Sequence, residues 1–466
     1  MKKFTALGIL IAFIGMVGPK IIGSTVNQKL DEIVASINQA PGYHASIISH
    51  ESSWFSSAAT VNIGLDTSIF GDTPANSETV EFLKDASFNV NVTSQHGPFL
   101  SLNGLGLGLL AVKIEADKTV FRDQLTYSED ERFYSAALNV SLLGSGTYVD
   151  KVPEFTLSEK ETSSFSSWNG EGSMSANYFD YSGHMDAVEV RGDDAILEIK
   201  SVSLAYEIED SWSSMITSLF YNSTIDFTIG SITFDALIGE SRNLRLKNLV
   251  IDGISEKSDD GQLMNMEINY GIEEVTAPGF SGNNLLLKTQ FKNLEKDFFT
   301  AIQDASANPL EAEQLTKAFK DNLLLQLKAS PEFNINEISG AVGEGHFSGK
   351  LLMKIAGVDE MPANIENPSF WMSKAFVDSK LEIEKTMALR VAELMLISQF
   401  NSTPEISNEM TNSEIESLAA QQARTMIDTL SAQGMIIINT EGNLELSFNM
   451  NGGRAQLNGN PLPLPF

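Results

Sequence analysis

Period-two alternation of apolar and polar residues begins at Tyr43 and recurs over most of the roughly 250 residues that follow, constraining the fold more than any other feature. Successive side chains of a strand face opposite ways, so the pattern yields antiparallel strands with one buried face. In SVSLAYEIED, Val202, Leu204, Tyr206 and Ile208 oppose Ser203, Ala205 and Glu207. LMNMEINYGI sets Met264, Met266, Ile268, Tyr270 and Ile272 against Asn265, Glu267 and Asn269, and GHFSGKLLMKI puts Phe347, Leu351, Met353 and Ile355 on one face. The series opens with YHASIISHES and SSAATVNIGLD on either side of a turn near Ser52-Ser53. One-sided strands pack on helices or a second sheet, or curve into a sheet with an apolar groove. A weak repeat overlies them: LEIKSVSL (Leu197–Leu204) and LRLKNLVI (Leu244–Ile251) share their apolar spacing 47 positions apart.

Helical spacing interrupts this pattern at defined places. VNQKLDEIVASINQA aligns Val26, Leu30, Ile33, Val34 and Ile37 before Pro41-Gly42, which reads as a short stalk helix. Later come Leu294–Ala305 and Glu311–Ala329 as a helical pair, then MALRVAELMLISQF. SEIESLAAQQARTMIDTLSAQG follows, with Ser413 and Glu416 spaced as a capping box and Gly434 as the stop. The chain finishes in strands, IIIN and LELSFNM around a Glu441-Gly442 turn.

At the amino terminus Lys2 and Lys3 precede fifteen uncharged residues, Phe4–Gly18, the order of an export signal. Fifteen helical residues rise about 22 Å against a hydrocarbon core of about 30 Å. Continuing to Gly23, with Lys20 reaching for the far interface, brings the segment close to a spanning length. No A-x-A-like site follows, and Pro19 stands behind Gly18. The expectation is an uncleaved signal anchor at residues 1–25, its lysines inside and the body outside.

Charge and cysteine content exclude several classes. Acidic residues number 61 against 31 basic, a formal net charge of −30, which opposes binding of nucleic acid or broad attraction to anionic lipid. No cysteine is present, which removes disulfides, thiolate nucleophiles and thiolate-bound metals together. His44, His50, His96, His184 and His346 do not fall at metal-ligand spacing on a helix. GFSGN at Gly279 is not a nucleophile elbow, and neither a P-loop nor a dinucleotide fingerprint occurs. Asp193-Asp194 and Asp259-Asp260-Gly261 read as turns between strands. No catalytic, cofactor-binding or metal residue is assigned.

Several short segments carry a resemblance in consistent order along the chain. They are the lysine-led anchor, SWFSSAA from Ser53, the tetrapeptide His96-Gly97-Pro98-Phe99, FKNLEKDFF around Leu294, and LNGNPLPLP at Leu457–Pro465. Together they resemble the YdgA-like family of bacterial proteins of unknown function, although Ser52-Ser53 stands where that family has glycine before the tryptophan. The resemblance implies a protein anchored in the inner membrane of a Gram-negative envelope, with no established enzymatic activity and no catalytic residue to carry over.

The expected fold is α+β and β-dominated: elongated, strongly twisted antiparallel sheet, several helices mostly in the C-terminal half, and the N-terminal anchor helix. The expected divisions are 1–25 as anchor, 26–290 as a β-rich meander with the stalk helix, and 291–466 as a mixed helical and β region. The expected function is non-enzymatic: a periplasmic body that binds a lipid or another hydrophobic envelope component along an apolar sheet face. The alternative is an envelope scaffold or adaptor that meets another protein through its acidic surface; an unrecognised hydrolase ranks last.

Overall fold

The computed structural model describes residues 20, 23–35, 37–38, 43–65, 87–116, 125–126, 132–158, 162–211, 220–237, 243–306, 312–403 and 410–463. Of the expected anchor at residues 1–25, only 20 and 23–25 are among them, and its apolar run Phe4–Gly18 lies outside. Among the described residues, no helix is long and apolar enough to cross a membrane. Two compact units are formed, one of Met1–Ile229 with Phe299–Lys320, the other of Gly230–Phe298 with Asp321–Phe466.

In the first unit, helix α1 (residues 23–35) starts three residues ahead of the apolar spacing at Val26. It is followed by β1 (Tyr43–Ser52), β2 (Ser56–Leu65), β3 (Ser87–His96), the short ribbon of β4 (Phe99–Leu100) and β5 (Gly106–Leu107), and β6 (Leu110–Ala116). Then come β7 (Leu125–Thr126), β8 (Tyr134–Val140), β9 (Gly146–Val152), β10 (Phe155–Ser158), β11 (Thr162–Phe165), β12 (Trp168–Ser175), β13 (Tyr178–Arg191) and β14 (Ala195–Glu209). Pairing is antiparallel in the spatial order β1, β2, β3, β6, β8, β9, β12, β13, β14, while β11 extends along β13 and joins β10 and then β7. The alternation read in SVSLAYEIED is present: Val202, Leu204, Tyr206 and Ile208 are sheltered, whereas Ser203 and Glu207 are exposed.

Strand β15 (Asn222–Ala236) has residues in both units. The second unit continues with β16 (Leu244–Lys257), β17 (Leu263–Ala277), β18 (Phe280–Glu295), β19 (Glu332–Val342), β20 (Gly345–Ile355), β21 (Ala375–Ile383), β22 (Ile437–Ile438), β23 (Leu444–Asn451), β24 (Arg454–Leu457) and β25 (Asn460–Leu462). Each of β16 to β21 pairs antiparallel with the next, and β21 continues through β23 to β24 and β25, with β22 on β23. Helices α2 (Lys296–Ser306) and α3 (Ala312–Lys328) stand between β18 and β19 in sequence, and α4 (Pro368–Lys374) precedes β21.

Helices α5 (Lys385–Asn401) and α6 (Asn412–Ala432) lie between β21 and β23 in sequence. Buried alanines on both, Ala388, Ala392, Ala419 and Ala423, form the small-residue seam that two closely packed helices need. One end packs Ala388 and Ile427 on Leu444 of β23, and the other clusters Phe400, Ile415 and Ala419. The capping box of α6 is Thr411 with Glu414 rather than Ser413 with Glu416. Both pairs have the required spacing, two residues apart. The earlier one is formed reciprocally: Glu414 N donates to Thr411 Oγ1 at 3.4 Å, and Thr411 N donates to Glu414 Oε2 at 2.8 Å.

The 47-residue repeat has a backbone counterpart. Ser201 (φ 56°) and Asn248 (φ 50°), equivalent positions in its two copies, are both left-handed within a strand. The flanking register continues unbroken: Val202 and Lys200 face Met185 and Ala187, while Leu249 and Lys247 face Ile272 and Glu274. Each left-handed residue thus stands opposite an acidic one, Asp186 or Glu273. Asn284 (φ 51°) meets Glu273 from the other neighbouring strand. Asparagine and serine suit these positions because a short polar side chain tolerates the left-handed region that β-branched residues avoid.

Candidate functional site

The first unit holds a hollow of about 530 Å³ on one sheet face, with walls mostly of carbon. Strand register explains its floor. One rung across the sheet runs Val112, Leu138, Tyr148, Gly172, Tyr181, Tyr206. The next runs Ile114, Ala136, Asp150, Gly170, Gly183, Leu204, so two glycines sit side by side at its centre. The aromatic side chains lie over these bare positions. A Cβ on Gly170 would stand 2.0 Å from the Asp150 carboxylate and 2.2 Å from the Tyr181 hydroxyl, and one on Gly183 would stand 2.2 Å from the Trp168 ring. Met174 and Phe179 complete one end.

Polar atoms in the hollow are tied to one another. Trp168 Nε1 donates to the Tyr181 hydroxyl at 2.8 Å, and that hydroxyl donates to Asp150 Oδ1 at 3.0 Å. The hydroxyls of Tyr134 and Tyr148 are 2.9 Å apart. The rings of Tyr148, Tyr181, Tyr206 and Phe179 follow one another at centroid distances of 6.0, 5.3 and 5.6 Å. Burial raises the Tyr134, Tyr148 and Tyr206 hydroxyls and pushes Tyr181 up to about 12. The Asp150 carboxyl is likewise held above its ordinary range by burial, which the Tyr181 hydrogen bond partly offsets.

Tyrosines raised in this way stay neutral at physiological pH and make poor nucleophiles. Tyr181 instead donates to one half-buried carboxyl, on a surface otherwise fit for aliphatic or aromatic matter. Among the described residues, no group of three or more histidine, aspartate or glutamate side chains is placed to hold a metal ion. The second unit has a shallower hollow of about 320 Å³ beside the left-handed Asn248 and Asn284.

The residues weighed in the sequence take structural places. His96 closes β3 fully buried, with Nε2 at 3.1 Å from Ser57 Oγ and 3.0 Å from Ser94 Oγ. Burial lowers its pKa and the Trp54 backbone opposes the shift, so the ring is a neutral packing group against which Gly23 of α1 lies. Gly97 is needed for close approach rather than positive φ: a Cβ there would stand 1.7 Å from the Gly108 carbonyl oxygen. Asp193-Asp194 and Asp259-Asp260-Gly261 turn the β13–β14 and β16–β17 hairpins, and Gly279 (φ 74°) turns β17 into β18. The hollow brings together none of these. Its residues carry a fainter signal, aromatic and glycine alternating on one strand face in W-N-G-E-G (Trp168–Gly172) and Y-S-G (Tyr181–Gly183).

An antiparallel meander carrying a tyrosine-rich apolar hollow defines the class of protein. More narrowly, the model of a family described as bacterial protein of unknown function (DUF945) matches residues 1–465, and the chain belongs to that family. No curated protein and no solved structure matches the chain.

Proposed function

We propose that this is a non-enzymatic protein of the YdgA-like kind, held in the inner membrane by its N-terminal segment, whose periplasmic body binds a lipid or another hydrophobic envelope component. The observation that carries the reading is the hollow of the first unit: about 530 Å³, apolar-walled, floored by paired glycines, with Trp168, Tyr181 and Asp150 already bonded to one another. Apolar volume with a small number of oriented polar tips suits a ligand that is mostly hydrocarbon. The lysine-led apolar run Phe4–Gly18 supports the tether. The scaffold alternative draws on the net charge of −30 and leaves the hollow without a role.

Native mass spectrometry of the detergent-extracted full chain, with lipid extraction, tests the reading. A phospholipid-sized ligand at fixed stoichiometry, lost in Leu138→Trp and Val112→Phe with unchanged circular dichroism, is the expected result. A ligand-free wild-type chain, or a ligand that both variants retain, overturns it.

A further inference from the structure

One end of the first unit's sheet collects exposed apolar side chains in a way the hollow does not explain. The chain reverses there between β1 and β2, between β3 and β6, between β8 and β9, and between β12 and β13. The β3–β6 connection presents Phe99, Leu105 and Leu107, with Phe99 77% and Leu105 95% exposed. The β8–β9 connection presents Leu142 and Leu143, the latter 96% exposed. The two are fastened side by side: Leu109 N donates to the Val140 carbonyl at 2.8 Å, and Asn103 Nδ2 reaches the Leu138 carbonyl at 3.2 Å. The β1–β2 turn adds the exposed Trp54 and Phe55, and Phe55 O accepts from His96 N at 2.7 Å.

Charge is distributed unevenly along the same strands. Residues 52–64, 87–112, 133–149 and 172–179, which contain these four connections, hold no aspartate, glutamate, lysine or arginine in a chain of net charge −30. At the opposite ends of the strands, the β2–β3 connection alone carries Asp66, Asp72, Glu78, Glu81 and Asp85. The nearest acidic side chains at this end are Glu51, next to last in β1, Asp180 in β13, and Glu209 and Asp210 beyond β13. Helix α1 starts at this end as well. Lys20 Nζ stands 5.6 Å over the Trp54 ring, and Gly23 lies against the His96 side chain. Lys20 and the start of α1, which follow the apolar run Phe4–Gly18 in sequence, therefore lie at the uncharged, leucine-tipped end.

We infer that this end is a membrane-docking rim: Phe99, Leu105, Leu107 and Leu143 enter the acyl boundary of a phospholipid bilayer, with Trp54 and Phe55 at headgroup depth. Three observations together select a bilayer as occupant. The tips are single large apolar side chains on glycine-rich loops, they lie at the end where α1 starts after the apolar N-terminal run, and the acidity that anionic headgroups would repel is withheld from them. The rim is separate from the hollow, so the two readings stand or fall by different measurements.

Because the chain lacks cysteine, single labelling sites can be added cleanly. Full-length Leu105→Cys, Leu143→Cys and Asp193→Cys, each carrying an environment-sensitive nitrobenzoxadiazole dye, are reconstituted into vesicles of phosphatidylethanolamine with phosphatidylglycerol. Flotation with the vesicles reports the tether independently. Blue-shifted emission quenched by brominated acyl chains is expected at 105 and 143, and aqueous emission at 193. Aqueous, unquenched emission at both tips overturns the rim even where the chain floats. So does emission that shifts only when envelope proteins are added, which would make the occupant a protein.

Discussion

Tyr181→Phe removes one oxygen from the middle of a three-residue chain, and its cost is expected to depend on pH. Trp168 Nε1 loses its acceptor and Asp150 loses its donor, while the ring volume is kept. The tryptophan N–H, half-buried, is worth about 1 kcal/mol. The bond to the carboxylate adds about 1 kcal/mol once discounted for its partial exposure. Burial holds Asp150 above its ordinary value of 3.8, and the Tyr181 hydroxyl opposes that by stabilising the charged form. A folded pKa above the unfolded one means that the native state binds more protons between the two values, so stability falls as pH rises through that window. Deleting the hydroxyl moves the folded pKa further up and deepens the loss. The variant should therefore be destabilised by about 1 kcal/mol in acid below the raised folded pKa, where Asp150 carries its proton, and by about 2 kcal/mol well above it, where the carboxylate is charged. For a unit of this size that is a fall of about 2–4 °C in Tm per kcal/mol. Urea unfolding of the full chain at both pH values, scored against wild type, measures it. An equal loss at the two values, or a larger loss in acid, would refute the account of Asp150.

Two further expectations concern local backbone chemistry. Thr411→Ala should cost about 1 kcal/mol and speed amide exchange in the first turn of α6, whereas Ser413→Ala should stay within about 0.5 kcal/mol. Asn248→Val should destabilise by about 1–2 kcal/mol in chemical denaturation while Asn248→Gly stays near wild type, since glycine enters the left-handed region freely and a β-branched side chain does not.

Much of the fold is legible in the sequence because two periodicities do most of the specifying. Val202, Leu204, Tyr206 and Ile208 take one sheltered face of β14, and Met264, 2% exposed, is sheltered as its alternation assigns, whereas Tyr270 of the same series is 39% exposed. Helices α2, α3, α5 and α6 fall where apolar residues recur at helical spacing. The start of α6 was ambiguous because two capping pairs of the same spacing overlap, Thr411 with Glu414 and Ser413 with Glu416. The hollow was not legible. Asp150, Gly170 and Gly183 are distant in sequence and become neighbours only through register, which a single strand's alternation does not encode. The uncharged stretches 52–64, 87–112, 133–149 and 172–179 are scattered along the chain, and their convergence on one sheet end requires the order of pairing. The repeat at Leu197 and Leu244 gained its meaning from backbone angles at Ser201 and Asn248, a property shared by many serines and asparagines that are not left-handed.

The order of strands has a consequence for how such a chain is made. From β1 to β14, each strand of the main series lies beside one that precedes it closely in sequence, and from β16 to β21 each lies beside the next. As the polypeptide emerges N-terminus first, every new segment finds its partner already laid down, so each half zips hairpin by hairpin without waiting for distant sequence. The growing edge is open throughout that process, a template for unwanted pairing with another nascent chain. Synthesis halted midway would leave a ribbon that is correctly paired as far as it goes, sticky along a single advancing side.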